Sequence, residues 1–284
     1  MTPIPRTTGR AALVALILLS AGCMPPGLAA RALIHPGRRP PKEAPKRPVE
    51  VVELEGAGVH LKGWRFPAEG PVKRGTVVYL HGMGDSRRSS VSVADHFAPE
   101  GFDVLAYDSR AHGESGGDAC TFGVYEKQDL ARVLAGIKAR PIVLLGSSLG
   151  AAVALQTAAL SRDVAAVVSV SVFSDLRRVA RDRAPFFASE ANIRDAFAIA
   201  EEEGHFRFED ASPVTAARQI KAPVLIIHGA RDDETKPAHS QRVFEALAGP
   251  KQLILVPGAG HNDVVTGALF LQIDEWLRTT LPAG

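Results

Sequence analysis

The chain has 284 residues, of which 46% are hydrophobic and 23% are charged, and this composition is typical of a globular protein rather than a disordered one. A chain of this length can bury one sizeable core, which favours a single domain with appendages. Its two cysteines exclude a disulfide framework, and its glycines and prolines follow no triplet period, which excludes a collagen-like chain.

The formal net charge of +2 conceals two parts of opposite sign. Residues 1–48 carry eight Lys or Arg side chains and one acidic side chain, whereas residues 49–284 carry more acidic than basic residues. The larger part therefore has no excess of positive charge to offer to a phosphate backbone, and the sequence gives no reason to expect a nucleic-acid partner.

The first 22 residues are predicted to be an export signal. Arg6 and Arg10 precede an uncharged, largely apolar run over residues 11–22, which is shorter than the roughly 20 residues that a membrane-spanning helix needs but fits the apolar region of a signal peptide. Small residues then lead directly to Cys23 and resemble a bacterial lipobox, although Ser20 stands where that motif usually has an aliphatic residue.

This resemblance implies that Cys23 is lipidated and becomes the mature N-terminus. We therefore expect an exported lipoprotein of the bacterial cell envelope, which faces the periplasm or the outer surface and contacts the membrane through its lipid anchor. The alternative is an ordinary signal peptide that is cut near Ala21 or at Ala29-Ala30, which would give a secreted protein.

Residues 23–48 are predicted to be a tether. Seven prolines and six basic side chains lie between residues 25 and 48, and prolines at this density favour an extended, partly polyproline-like chain over a helix or a strand. The positive charge could contact anionic lipid headgroups, or the segment could be a solvated spacer.

The domain over residues 49–284 alternates between predicted strands and predicted helices. The predicted strands cover residues 49–54, 59–66, 76–80, 102–107, 141–145, 164–170, 223–228 and 252–256. The predicted helices cover residues 91–98, 124–137, 148–160, 237–247 and 268–281. The first two strands form a hairpin, and the later alternation predicts an α/β fold, a mostly parallel, doubly wound sheet with helices on both faces and ligands at the carboxyl ends of its strands.

The segment at about 174–222 interrupts this alternation and is too long for a plain connection. We interpret it as a small helical cap over the sheet. Phe186 and Phe187, together with Phe173, are the candidate lining of a substrate pocket. The alternative is that the phenylalanines of this region only attach the cap to the domain.

Ser148 is the candidate nucleophile. It is the central residue of Gly146-Ser147-Ser148-Leu149-Gly150, which follows an apolar predicted strand and opens an alanine-rich predicted helix. A sharp turn at this junction presents the central side chain outward, and the N-terminus of the helix favours a developing negative charge.

A serine nucleophile needs a base, and the base needs a third group to orient it. His261 lies in a loop directly after the last predicted strand and is the candidate base. Asp232 follows the predicted strand at 223–228 and is preferred as the acid of the triad over its neighbour Asp233. The expected oxyanion hole consists of the backbone N–H groups of Leu149 and Met83, the latter in the turn after the strand at 76–80.

These residues resemble those of the α/β-hydrolase superfamily, in its esterase, lipase and serine-aminopeptidase-like branch. The resemblance covers residues 49–284 and rests on five motifs in their chain order: Leu80-His81-Gly82, Tyr107 to Ser115, Gly146 to Gly150, His228-Gly229 with Asp232, and Gly260-His261. It implies a Ser-His-Asp hydrolase without a cofactor and a cap that selects the substrate. It also implies that the turn Asp108 to Ser115 is structural, and Glu126 and Asp129 are expected to tie down neighbouring loops.

The expected reaction is the hydrolysis of a carboxylic ester, thioester or amide on a small-molecule or lipid-like acyl substrate through an acyl-enzyme. An acyltransferase or a peptidase that uses the same site, or a surface lipoprotein that only binds its ligand, remains the alternative. The sequence contains neither a His-Glu-x-x-His motif nor paired cysteines at metal-ligand spacing, and no metal is expected.

Overall fold

The computed structural model describes residues 25–183 and 189–281. An eight-stranded sheet forms its centre, with the spatial order β1-β2-β4-β3-β5-β6-β7-β8. The strands are β1 (Glu50–Glu55), β2 (His60–Phe66), β3 (Gly75–Leu80), β4 (Phe102–Tyr107), β5 (Ile142–Ser147), β6 (Val164–Val170), β7 (Val224–Gly229) and β8 (Lys251–Val256). Strand β2 is antiparallel to both β1 and β4, and every other neighbouring pair is parallel. This arrangement confirms the predicted fold class.

The helices of the described residues surround this sheet. They are α1 (Pro26–Ile34), α2 (Val91–Phe97), α3 (Glu126–Gly136), α4 (Leu149–Ala158), α5 (Leu176–Arg183), α6 (Glu190–Gly204), α7 (Pro213–Ala217), α8 (Ala238–Ala246) and α9 (Gly267–Thr280). Short 3₁₀ turns lie at Arg87–Ser90 and Phe208–Asp210.

Two hydrophobic clusters cover the two faces of the sheet. Val78 and Leu144 belong to one cluster, whereas their chain neighbours Val77 and Val143 belong to the other, as expected because successive side chains of a strand point to opposite faces. Every residue of β3 and of β7 is buried, which explains why both strands are continuous apolar runs in the sequence.

The parallel strands bring the predicted site residues to one edge of the sheet. Leu80 at the end of β3 pairs with Gly146 of β5, and Gly229 at the end of β7 pairs with Val256 of β8. The loops that follow these four strands therefore leave the sheet at its carboxyl edge. These loops contain the candidate nucleophile, acid, base and oxyanion donors.

The segment between β6 and β7 is largely helical and contains α5, α6, the 3₁₀ turn at Phe208–Asp210 and α7. Phe197 and Phe206 each pack against Phe208 with ring centroids 4.7 Å apart, and Phe208 also reaches Phe122 at 5.8 Å. These aromatic side chains therefore attach the segment to the domain, as the second interpretation of its phenylalanines predicts.

The prediction that residues 23–48 form an extended tether without helix is wrong for the part that the structure describes. Helix α1 occupies Pro26–Ile34, and four of its side chains, Ala29, Ala30, Leu33 and Ile34, are at most 2% exposed. The prolines do not prevent this helix because Pro26 is its first residue, where the missing N–H costs nothing, and the next proline is Pro36, beyond its end.

The chain after α1 also lies against the domain. The Arg38 guanidinium donates hydrogen bonds to the carbonyl oxygens of Ser115 and Gly117, the latter at 2.7 Å. Arg47 binds the carboxylates of Glu69 and Asp95. These two basic side chains are therefore engaged with the protein, which reduces the positive charge that this segment has available for lipid headgroups.

Within residues 25–183 and 189–281, no helix combines the length and the apolar character that crossing a bilayer requires.

Candidate active site

Ser148 lies in a strained turn between β5 and α4. Its backbone adopts φ 52° and ψ −110°, a conformation that is costly for a residue with a side chain and that occurs mainly where function requires it. Two glycines make the turn possible. A Cβ atom on Gly146 would lie 2.4 Å from the carbonyl oxygen of Gly150, and a Cβ atom on Gly150 would lie 2.1 Å from the carbonyl oxygen of Leu80.

The side chains of Ser148, His261 and Asp232 form a continuous line of hydrogen bonds. The Nε2 atom of His261 lies 3.1 Å from Ser148 Oγ, and its Nδ1 atom lies 2.7 Å from Asp232 Oδ2. Because a carboxylate only accepts, the ring carries its proton on Nδ1 and leaves Nε2 free to accept from the serine hydroxyl. The three residues lie 29 and 113 positions apart in the sequence, so only the fold brings them together.

Asp232 accepts hydrogen bonds from three groups besides His261. Its Oδ1 atom accepts hydrogen bonds from the backbone N–H groups of Glu234 (2.9 Å) and Thr235 (2.7 Å), and its Oδ2 atom lies 3.0 Å from Nε2 of His228. Burial raises the pKa of the Asp232 carboxyl, but the hydrogen bonds from His228 and His261, with that from Thr235, outweigh it and hold this pKa well below its usual range. The carboxyl therefore stays ionised.

His228 contacts the candidate acid, although its sequence pattern did not predict this role. Its Nε2 atom donates to the carbonyl oxygen of Thr235 at 2.7 Å, and its Nδ1 atom accepts from the Ser240 hydroxyl at 2.6 Å. The side chain is fully buried. The His228-Gly229 pair marked the end of β7 in the sequence, but nothing there indicated that the imidazole points at Asp232.

Asp232 and Asp233 differ sharply in their surroundings. The carboxylate that contacts His261 is that of Asp232, which is buried, whereas Asp233 is exposed. Of the two carboxylates that competed in the sequence, the structure brings Asp232 to the imidazole.

The turn after β3 lies beside the nucleophile. A Cβ atom on Gly82 would lie 3.6 Å from Ser148 Cβ. His81 is buried and makes two bonds to the backbone: its Nδ1 atom donates to the carbonyl oxygen of Gly82 at 2.8 Å, and its Nε2 atom accepts from the N–H of Ser109 at 3.0 Å. Since a carbonyl and the N–H that follows it share one peptide plane, the bond to Gly82 also orients the N–H of Met83.

Leu149 is the first residue of α4, where backbone N–H groups have no partner within the helix. In the part of the chain that the structure describes, neither the Met83 nor the Leu149 amide donates to another protein group. Leu149 directly follows Ser148, and Met83 follows Gly82, whose Cβ position lies 3.6 Å from Ser148 Cβ. Both candidate oxyanion donors therefore belong to segments that adjoin the nucleophile.

The charged residues of the turn after β4 bind neighbouring loops. Asp108 accepts from the Arg87 backbone N–H at 2.7 Å and from that of Glu114 at 2.9 Å. Asp129 accepts two hydrogen bonds of 2.7 Å from the Arg110 guanidinium. These contacts confirm the structural role that was expected for Asp108 and Asp129.

Glu126 likewise ties down the loop ahead of α3. It accepts from the backbone N–H groups of Thr121 and Gly123, each at 2.7 Å.

The remaining predicted residues are placed only in part. Phe173 is 6% exposed and packs in the same cluster as Leu149, and its role in a pocket stays a prediction. Phe186, Phe187 and Cys23 lie outside the described residues. Among the described residues, no group of His, Cys, Asp and Glu side chains could hold a metal ion.

Comparison with known sequences identifies the family. The family model of the alpha/beta hydrolase fold matches residues 75–197. The uncharacterized protein Rv2307c of Mycobacterium tuberculosis is 32% identical over 219 residues, which cover 75% of this chain and 72% of that protein. The uncharacterized protein YqkD of Bacillus subtilis is 29% identical over 215 residues, which cover 72% of this chain and 70% of that protein. The chain belongs to the α/β-hydrolase superfamily.

Comparison with solved structures supports the fold. The esterase Pf2001 of Pyrococcus furiosus superposes with a TM-score of 0.71 at 24% identity and covers 88% of this chain and 99% of the esterase. The acylaminoacyl peptidase of Pyrococcus horikoshii superposes with a TM-score of 0.64 at 15% identity and covers 82% of this chain and 42% of the peptidase. At these identities the likeness concerns the fold alone.

Proposed function

We propose that the protein is a serine hydrolase that cleaves a carboxylic ester, thioester or amide through an acyl-enzyme. Membership of the α/β-hydrolase superfamily supports a general hydrolase activity. The observation that carries the finer proposal is the line of hydrogen bonds from Ser148 through His261 to the ionised Asp232, which begins at a serine with a strained backbone.

In the first half of the reaction, His261 Nε2 takes the proton of the Ser148 hydroxyl as Oγ attacks the acyl carbonyl carbon. The carbonyl π electrons move to its oxygen, where the N–H groups of Met83 and Leu149 stabilise the charge. The tetrahedral intermediate then collapses, and the leaving group departs with the proton that His261 carries.

In the second half, a water molecule loses a proton to His261 and attacks the acyl carbon. The intermediate releases the carboxylic acid and returns the proton to Ser148 Oγ. Asp232 stays ionised throughout, since it stabilises the imidazolium without taking its proton. The known structures of the same fold include an esterase and a peptidase, so the test includes both kinds of substrate.

The proposal is tested with a fluorophosphonate probe and with short p-nitrophenyl esters and aminoacyl p-nitroanilides. We expect the wild type to be labelled and to hydrolyse at least one substrate class, and Ser148→Ala to lose both properties while its circular dichroism is unchanged. Ser147→Ala is the matched control, because Ser147 is half-buried one residue away and should keep both.

An unlabelled wild type would favour the alternative of a lipoprotein that only binds its ligand. Labelling without hydrolysis would favour an acyltransferase, which gives the acyl group to an acceptor other than water.

We further propose that the protein is exported and is anchored to the bacterial cell envelope by a lipid on Cys23. The lipobox-like residues before Cys23 support the anchor. Cleavage at Ala29-Ala30 would divide α1 and remove buried side chains from it, which favours a processing site upstream of this helix. Mass spectrometry of the mature N-terminus tests the proposal, with Cys23→Ala as the variant that should lose the lipid.

A further inference from the structure

A cavity of about 430 Å³ lies between α8 and the segment that joins β6 to β7. Three arginines line it, and each comes from a different helix or its end. Arg178 belongs to α5, Arg218 directly follows α7, and Arg242 belongs to α8. The triad residues and the candidate oxyanion donors, all of which the structure describes, do not line this cavity. It is therefore separate from the candidate active site.

Two of these arginines have no carboxylate partner. Within residues 25–183 and 189–281, no Asp or Glu side chain pairs with Arg218 or Arg242. The remaining residues of the chain include neither Asp nor Glu, so their side chains supply no counter-ion. Arg178 does pair with an acid, since its Nε atom lies 3.5 Å from Asp175 Oδ2.

Two carboxylates also line the cavity, and both have other partners. Asp175 accepts from the Ser174 hydroxyl at 3.0 Å and from the backbone N–H of Arg178 at 2.8 Å. Glu245 accepts from the side-chain amide of Gln241 at 3.0 Å. Three guanidinium groups and two carboxylates leave the lining with an excess of positive charge.

The guanidinium of Arg242 is poorly satisfied by the protein. Its Nη1 atom is a buried donor that has no hydrogen-bond partner among the described residues. A buried cation without a counter-ion is costly. Because the charge of a guanidinium is delocalised over its three nitrogens, an anion that binds the part of Arg242 facing the cavity would offset this cost.

The charges of Arg178 and Arg242 converge on one place. His239 of α8 is fully buried. Burial and the positive charges of Arg242 and Arg178 lower the pKa of His239 to about 4. The carboxylates of Asp182 and Asp175 oppose this shift. Both guanidinium groups therefore lie close to the same imidazole and can approach one ligand together.

We infer that this cavity binds a phosphate group, either as the free ion or as the monoester of a small molecule. A phosphate monoester has three terminal oxygens that can accept from guanidinium groups, whereas a carboxylate has two, so three arginines favour phosphate. The cavity exceeds the size of the free ion, and Val214 and Ala246 add apolar surface for an attached organic group. The bound phosphate would join α5 and α7 to α8. This inference does not depend on the proposed hydrolysis.

Isothermal titration calorimetry of the full chain in a chloride buffer tests the inference. The probes are inorganic phosphate, phenyl phosphate and acetate. Arg218→Gln and Arg242→Gln each remove one cation from the cavity, and because Arg218 is exposed, its replacement should not disturb folding even if that of Arg242 does. Arg132→Gln is the matched control, since Arg132 is an exposed residue of α3 that does not line the cavity.

We expect one equivalent of inorganic phosphate to bind. Arg218→Gln and Arg242→Gln should each raise its Kd about tenfold or more, because each loses a charge-assisted hydrogen bond. The Kd of Arg132→Gln should stay within about twofold of wild type, and acetate should bind more weakly than phosphate. Ser148→Ala should bind phosphate as the wild type does, which separates this test from that of the proposed function.

A wild type that does not bind phosphate, or an equal loss of affinity in Arg132→Gln, would overturn the inference. Acetate that binds as tightly as phosphate would overturn the assignment to a phosphate group. Phenyl phosphate that binds at least as tightly as inorganic phosphate would identify a monoester as the ligand, whereas binding of inorganic phosphate alone would identify the free ion.

Discussion

His228 and Asp232 lie four residues apart in the sequence, and the Nε2 atom of His228 lies 3.0 Å from the Oδ2 atom of Asp232. Neither side chain is exposed to solvent. The imidazole Nε2–H is shared between the Asp232 carboxylate and the carbonyl oxygen of Thr235. The candidate acid is therefore positioned from both sides, by His261 towards Ser148 and by His228 from the interior.

Replacement of His228 should impair the site without removing any reacting group. We expect His228→Asn to lower kcat about tenfold, equivalent to about 1.4 kcal/mol, with little change in KM, because a less constrained Asp232 orients His261 less well. Steady-state kinetics on the best ester substrate measures the effect. His60→Asn is the control, since His60 is an exposed residue of β2; equal losses in both variants would contradict a positioning role for His228.

Asp232→Asn should be far more damaging than Asp233→Asn. Loss of the carboxylate that holds the Nδ1 proton leaves His261 in the wrong tautomer, and we expect kcat to fall by roughly a thousandfold or more. Asp233 is exposed, so its replacement should leave kcat within about twofold of wild type, as surface substitutions usually do. The reverse ranking would reassign the acid of the triad.

The depressed pKa of Asp232 also predicts how stability depends on pH. Because this pKa lies below the value of about 3.9 in an unfolded chain, the unfolded state binds the proton first as the pH falls. The stabilisation is therefore complete above about pH 5 and is lost below it. Urea unfolding should show that the difference in unfolding free energy between wild type and Asp232→Asn shrinks between pH 5 and pH 3. A constant difference would contradict this linkage.

Gly150→Ala should disrupt the turn that carries Ser148. The added methyl group would lie 2.1 Å from the carbonyl oxygen of Leu80, so β3 or α4 must shift, and we expect lower stability and loss of probe labelling. Gly136→Ala is the matched control in α3, because nothing lies within 4 Å of its Cβ position, and alanine is the better helix former by about 1 kcal/mol. Thermal unfolding and fluorophosphonate labelling measure both variants. If the Gly150→Ala protein were labelled by the fluorophosphonate as well as the wild type is, the site would not depend on the close contact between residue 150 and the carbonyl oxygen of Leu80.

The packing of α1 predicts that residues before 49 contribute to stability. Ile34 is fully buried, and Ile34→Ala should lower the unfolding free energy by about 2–5 kcal/mol, the usual range for removing buried methyl groups. Leu28→Ala in the same helix alters an exposed side chain, and it should change the unfolding free energy by less than about 0.5 kcal/mol. Urea unfolding measures both, and equal effects would mean that α1 does not pack stably on the domain in solution.

Much of the domain was determined by local sequence. Strands β3 and β7 are buried on both faces and are therefore continuous apolar runs, and Gly146 to Gly150 has the spacing that a strand–turn–helix junction requires. The sequence also placed the candidate nucleophile, acid and base after strand ends, because the carboxyl ends of parallel strands share one edge.

Only the tertiary structure decided how distant groups meet. The prolines near α1 did not indicate that this helix packs against the apolar side chains of α6. Its side chains are buried by a helix more than 150 residues away in the sequence. Likewise, both Asp232 and Asp233 fit the spacing of the triad, and the fold selected Asp232 by turning it towards His228 and His261. A sequence pattern specifies which face of an element is apolar and which residue types are available for a site. Contact between side chains that are distant in the sequence depends on how the whole chain packs.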